Sequence, residues 1–134
     1  IGKSEKLLQG SDVAVLALGP VAHRAFEAAL RIQEETGKCP SVYDVRFLKP
    51  FDNKMMEEIS SFKAILTVED GALKGGLFSE VSEYVASRGL EIIVKGAGVP
   101  DRFITQDSQA AQRSACGLDA DSIRIALAGI FDEI

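Results

Sequence analysis

Val13 to Leu18 are apolar without interruption, bounded by Ser11-Asp12 before them and Gly19-Pro20 after. Such a run, with no position for water, predicts a strand buried on both faces. The period then changes. From Val21 to Glu35 the apolar residues Ala22, Ala25, Phe26, Ala29 and Ile32 fall on one helical face, and Gly37 supplies a stop. A second strand is predicted from Ser41 to Leu48, through Val42, Tyr43, Val45 and Phe47.

The alternation continues to the end of the chain. Pro50 suits the first turn of a short helix, Asp52 suits its cap, and Met55, Met56, Ile59 and Phe62 form its inward face. Ala64 to Val68 is a third strand, Phe78, Val81 and Val85 space a third helix, and Glu91 to Val94 is a fourth strand. Further helices are predicted around Gln109 to Ala115 and Ser122 to Phe131, and Leu7-Leu8 adds a short edge strand. Strands alternating with helices define an α/β fold, a three-layer α/β/α sandwich with a mostly parallel five-stranded sheet.

A chain of 134 residues suits one domain, residues 1–134, and no linker, internal repeat or low-complexity segment divides it. Apolar residues at 46% and charged residues at 26% are those of a soluble globular protein. A net charge of -5 gives no general attraction for phosphate backbones, so nucleic acid is not an expected partner. No apolar run has spanning length and no secretory leader is visible, so no membrane is expected and the character is cytoplasmic. The chain opens on Ile1, not an initiator methionine, which is expected of a piece of a longer multidomain enzyme.

In an open α/β sheet, ligands gather at the carboxyl ends of the strands. After the first strand, Gly19-Pro20-Val21-Ala22-His23 reads as a turn, with an anion on free helix amides as the alternative. His23 is the only histidine and has no nucleophile or acid at relay spacing, so it reads as a surface or packing residue. Cys39 and Cys116 are isolated and show no metal-ligand spacing. Arg46 and Lys49 either clamp a carboxylate or phosphate, or pair with Asp44 or Asp52.

Glu69-Asp70 closes a buried strand, where a carboxylate either takes up backbone hydrogen bonds or has its acidity perturbed. Structural or interface service is the favoured reading over acid-base catalysis, because adjacent side chains alternate direction in an extended chain. Gly71-Ala72-Leu73-Lys74-Gly75-Gly76 lacks the Gly-Lys-Ser/Thr ending of a P-loop, and Gly96-Ala97-Gly98 has Asp101 where a dinucleotide fingerprint needs glycine. Gln106-Asp107-Ser108-Gln109 reads as a loop whose Asp107 or Ser108 caps a helix.

Thr67-Val68-Glu69 with Gly75-Gly76 resembles the carboxy-terminal domain of the transketolase superfamily, including the beta subunits of pyruvate dehydrogenase. Asp44, Arg46, Phe47, Lys49, Pro50 and Asp52 narrow the resemblance to the 1-deoxy-D-xylulose-5-phosphate synthases. They are joined by Pro100-Asp101-Arg102-Phe103-Ile104, Ser108-Gln109 and Gly117-Leu118-Asp119-Ala120. Two positions depart from that pattern: Asp70 stands where a second Glu is common, and Asp107 where Gly usually precedes Ser-Gln.

The resemblance implies an antiparallel first strand and a parent enzyme dependent on thiamine diphosphate and Mg. That parent is a homodimeric transferase condensing pyruvate with glyceraldehyde 3-phosphate in isoprenoid precursor biosynthesis. The family's Gly-Asp-Gly metal-diphosphate motif is absent here, and the only asparagine is Asn53. The resemblance therefore implies no catalytic, cofactor-binding or metal residue in this chain, which is inactive alone. Its expected partners are the other domains of the same polypeptide, and the candidate domain or dimer contacts are Arg46, Glu69, Gly75 and Gly76. The alternatives are the corresponding domain of a transketolase or a 2-oxo acid dehydrogenase E1 beta subunit, or a freestanding α/β anion- or protein-binding module.

Overall fold

A computed structural model of the chain describes residues 3–46, 51–69, 76–97 and 119–134. In chain order the elements are β1 (Glu5–Leu8), β2 (Val13–Leu18), α1 (Ala22–Thr36), β3 (Ser41–Asp44) and α2 (Asn53–Glu58). They continue with β4 (Ala64–Glu69), α3 (Gly76–Ser87), β5 (Ile93–Ala97) and a helix numbered α4 here (Ala120–Glu133). The strands form one five-stranded sheet in the order β1-β3-β2-β4-β5. Every pairing is parallel except β1 with β3, which is antiparallel.

β2 shows why the fold has three layers. Its six residues are all buried, and because side chains alternate along a strand they serve both faces. Val13, Val15 and Ala17 join a core beneath α1 and α4, with Ala25, Ala29, Ile32, Ile123 and Leu127. Ala14, Leu16 and Leu18 join a second core beneath α2 and α3, with Met55, Met56, Leu77 and Val81. One strand thus anchors both cores, at roughly 1.5–3 kcal/mol for each large apolar side chain buried.

The turns are fixed by particular residues. Gly37 ends α1 in the left-handed conformation, φ 79°, and donates its amide to the Gln33 carbonyl, as a C-terminal glycine does. Asp52 caps α2 by accepting the Met55 amide, and Asp119 caps α4 by accepting the Ser122 amide. Asp12, at φ 69°, turns its carbonyl toward the amides of Lys63 and Ala64 and so ties β2 to the start of β4.

Three expectations shift. The second strand stops at Asp44, because Arg46 has φ 65° and cannot extend a strand. The fourth predicted strand lies at Ile93–Ala97, two residues later than its apolar pattern implied. At the sheet edge it exposes Lys95 and Gly96, so its pairing with β4 and not its hydrophobicity sets its limits. In α3 Leu77 is fully buried beside the expected Val81, while Phe78 is half-buried. The helix predicted over Gln109 to Ala115, and the segments holding Lys49, Gly75, Asp107, Ser108 and Cys116, lie outside the described residues.

Candidate functional site

The carboxyl ends of β2, β3 and β4 bring Gly19, Arg46 and Glu69 to one edge of the sheet. β2 lies between β3 and β4, so the two charged residues stand on strands about 10 Å apart. Each is turned to a different task.

Glu69 is completely buried, the last residue of a strand with no exposed position. Its carboxylate accepts the Leu77 amide at 3.1 Å through one oxygen and the Phe78 amide at 3.0 Å through the other. These amides belong to the first turn of α3, whose N–H groups have no partner within the helix. A buried anion at that end also meets the favourable pole of the helix dipole. The carboxylate therefore fills, from within, the position where an α/β fold would otherwise receive an anionic ligand, and it locks α3 to β4. This is the backbone-bonded alternative that the sequence offered for Glu69. Gly76 opens α3 beside it, and Gly75 lies outside the described residues.

Arg46 has another partner than those expected. Its guanidinium pairs with Glu5 at 2.8 Å, and only its backbone amide meets Asp44, at 3.2 Å. Asp52, the other expected partner, is taken by Ser4 and by the α2 amides. The reason is the β1–β3 register, which sets Glu5 directly opposite Asp44. Like charges so placed repel, and a cation at the strand end relieves them. The pair is half exposed on both sides, so its net contribution is about 1 kcal/mol or less. The ion pair with Glu5 holds the Arg46 side chain toward β1.

His23 lies on the exposed face of α1 and donates its Nδ1–H to the Pro20 carbonyl, which can only accept. Gly19 has φ 97° and its carbonyl receives the Ala22 amide, so Gly19 to His23 form the expected turn. Cys39 is a free thiol whose Sγ–H points to the Gln9 carbonyl. Among the described residues no group of three His, Cys, Asp or Glu side chains is placed to hold a metal ion. With Glu69 committed to α3, these residues do not fit the metal-diphosphate group of a thiamine enzyme.

A second polar cluster escaped the sequence reading. Ser4 donates both its amide and its hydroxyl to one oxygen of Asp52, each at 2.8 Å. Lys6 pairs with Glu58, which also accepts a hydrogen bond from the Tyr43 hydroxyl, and the Lys6 ammonium lies 5.7 Å from the centre of the Tyr43 ring. Burial and the adjacent Glu58 carboxylate push the Tyr43 phenol well above its ordinary range. The Lys6 hydrogen bond holds the Glu58 carboxyl below the usual range. Burial pulls Asp52 upward, but the hydrogen bonds from Ser4, Met55 and Lys54 outweigh it and the net direction is down. The signal was present in the spacing, since alternate residues before and within β1 face one side.

A mostly parallel sheet with a reversed first strand, and a strand-end glutamate spent on its own helix, defines an α/β domain of the transketolase kind. Residues 2–123 match the family model "Transketolase, C-terminal domain", and the chain belongs to that family. Within it, the chain is similar to 1-deoxy-D-xylulose-5-phosphate synthase of Phocaeicola vulgatus, 43% identical over 124 residues, covering 92% of this chain and 20% of that protein. The synthase of Bacteroides thetaiotaomicron is 39% identical over 124 residues, covering 92% and 19%. The chain thus spans about a fifth of the length of the curated relatives it matches. A solved structure described as a split gene transketolase, inactive beta4 tetramer, is similar with a TM-score of 0.79 and 29% identity, over 96% of this chain and 42% of that one.

Proposed function

We propose that this chain serves as the carboxy-terminal domain of a 1-deoxy-D-xylulose-5-phosphate synthase. That enzyme is a thiamine-diphosphate-dependent transferase that condenses pyruvate with glyceraldehyde 3-phosphate in the cytoplasm, supplying isoprenoid precursors. The observation that carries the reading is the 43% identity to a protein of that name across 92% of the chain, against 29% for the split transketolase. The cofactor, when bound, supplies the carbanion chemistry, and in this reading it is held with Mg by the other domains.

The domain's own residues act as scaffold. Glu69 fixes the start of α3, so that Gly76 is presented at the sheet's carboxyl edge. Arg46 keeps the four guanidinium donors beyond its single bond to Glu5 in reach of solvent or a neighbouring domain, as about half of its side chain is exposed. In this reading Arg46, Gly75 and Gly76 form the contact to the other domains of the polypeptide and support a homodimer, while the buried Glu69 serves that contact from within by holding α3.

A domain exchange tests this. The 124 aligned residues of the Phocaeicola vulgatus enzyme are replaced by those of this chain, and condensation of pyruvate with glyceraldehyde 3-phosphate is assayed with thiamine diphosphate and Mg. Activity within an order of magnitude of the parent is expected. A chimera that folds and dimerises but is inactive would overturn the assignment. Arg46→Ala in the active chimera should weaken dimerisation or activity; a variant that leaves both intact removes Arg46 from the contact.

A further inference from the structure

We propose that β1 is a detachable strap whose docking sets the order of α2 and the position of Arg46. Three consecutive residues of the strap each grip a different point. Ser4 holds Asp52 at the N-terminal cap of α2, Lys6 holds Glu58 at the last residue of that helix, and Glu5, facing the other way, holds Arg46 beyond β3. A six-residue helix cannot persist on its own, so its order depends on what fixes it. Met55 and Met56 bury its middle, while both its ends are tied to the strap.

Asp52 is the coupling residue. One oxygen accepts the Met55 amide as the helix cap, and the other accepts both donors of Ser4. Leaving the strap undocked strips that second oxygen of its partners and frees the carboxylate to rotate out of the cap. The strap itself belongs to the weakly held part of the fold. It is a four-residue edge strand with no fully buried side chain, and its ladder to β3 shifts register between Lys6 and Leu8. Leu7 and Leu8 are only half-buried against the α1–α4 core. Tension or a partner acting on the residues around Ser4 is thereby transmitted to the carboxyl end of β3, where Arg46 stands, without passing through the central strands.

Native-state hydrogen exchange on the chain tests the coupling. The Ser4→Ala/Lys6→Met variant removes the hydroxyl bond to Asp52 and the ion pair to Glu58, leaving the residue 4 amide in place, without touching α2. A second variant, Asp52→Asn, keeps a good helix cap for the Met55 amide but has no second carboxylate oxygen for Ser4. In both, the amides of β1 and α2 should exchange faster together, by roughly tenfold or more, as expected for losing a charge-assisted hydrogen bond. The amides of α3 and α4 should not change. Faster exchange in β1 with α2 unchanged would show that the strap and helix are independent and would overturn the proposal. An equal rise in all helices would show only global destabilisation and would overturn it as well.

Discussion

Glu69 and Phe78 are joined by a 3.0 Å hydrogen bond from the Phe78 amide to a carboxylate that no water reaches. The Leu77 amide completes the cap at 3.1 Å. Removing the acceptor leaves two amides of the α3 first turn without partners and one buried space where the side chain was. Glu69→Ala should therefore cost about 3 kcal/mol, and Glu69→Gln, with one acceptor oxygen left, about half of that. Urea unfolding, read as the shift of the midpoint at constant slope, distinguishes these from a surface carboxylate, whose loss would hardly move it.

Gly10 sits where the β1–β2 connection crosses the segment leading into β3. A Cβ there would lie 2.1 Å from the Cys39 carbonyl oxygen and 2.4 Å from the Pro40 carbonyl carbon. Both are backbone atoms and cannot rotate aside. The crossing is also pinned by the Gly10 amide donating to Ser41 Oγ at 2.8 Å and by that hydroxyl donating back to the Gly10 carbonyl at 3.0 Å. Gly10→Ala should lose both bonds and destabilise by about 2–3 kcal/mol, seen as a fall in the thermal midpoint and as faster exchange of the Ser41 and Val42 amides.

The layers of this fold were legible because they follow from side-chain period alone. Val13 to Leu18 had to be central, Gly37 had to end a helix, and Asp52 had to begin one, and each does so. What was not legible depends on residues distant in sequence. The partner of Arg46 is 41 positions away, and only the β1–β3 register makes Glu5 and not Asp44 its counterion. Ser4 and Asp52 are 48 apart, and neither signals the other until β1 is placed at the sheet edge. Asp119 was visible as part of a resemblance, yet its role as the cap of α4 follows only from where the helix starts. For the candidate contacts, backbone hydrogen bonding was one of two alternatives open for Glu69 at a buried strand end, whereas the positive φ of Arg46 is something that side-chain type does not announce.

Gly129 lies in the interior of α4, and the space that its missing side chain would fill is open. No close approach within the described residues requires a glycine there. Interior helical glycine is less favourable than alanine by about 1 kcal/mol because of its backbone entropy. Gly129→Ala should accordingly stabilise the chain by nearly that amount and raise its thermal midpoint by a few degrees. A fall in the midpoint would show that α4 has a neighbour at that position in solution.

Acid should loosen the strap before the cores. The carboxyls of Asp52 and Glu58 lie below their ordinary values of 3.8 and 4.5 in the folded chain. For groups whose folded value is depressed, the unfolded chain binds more protons, so the stability they contribute is complete above the unfolded values and is lost as pH falls through them toward the folded ones. The groups facing them are Ser4, Lys54 and Met55 at Asp52, and Lys6 and Tyr43 at Glu58, with the Asp52 carboxylate raising Glu58. The slope of unfolding free energy against pH, measured from pH 6 to about pH 3, should be positive and should flatten in an Asp52→Asn/Glu58→Gln variant. If the variant keeps the slope of the parent, the acid sensitivity belongs to other carboxylates and the clasp between β1 and α2 contributes none of it.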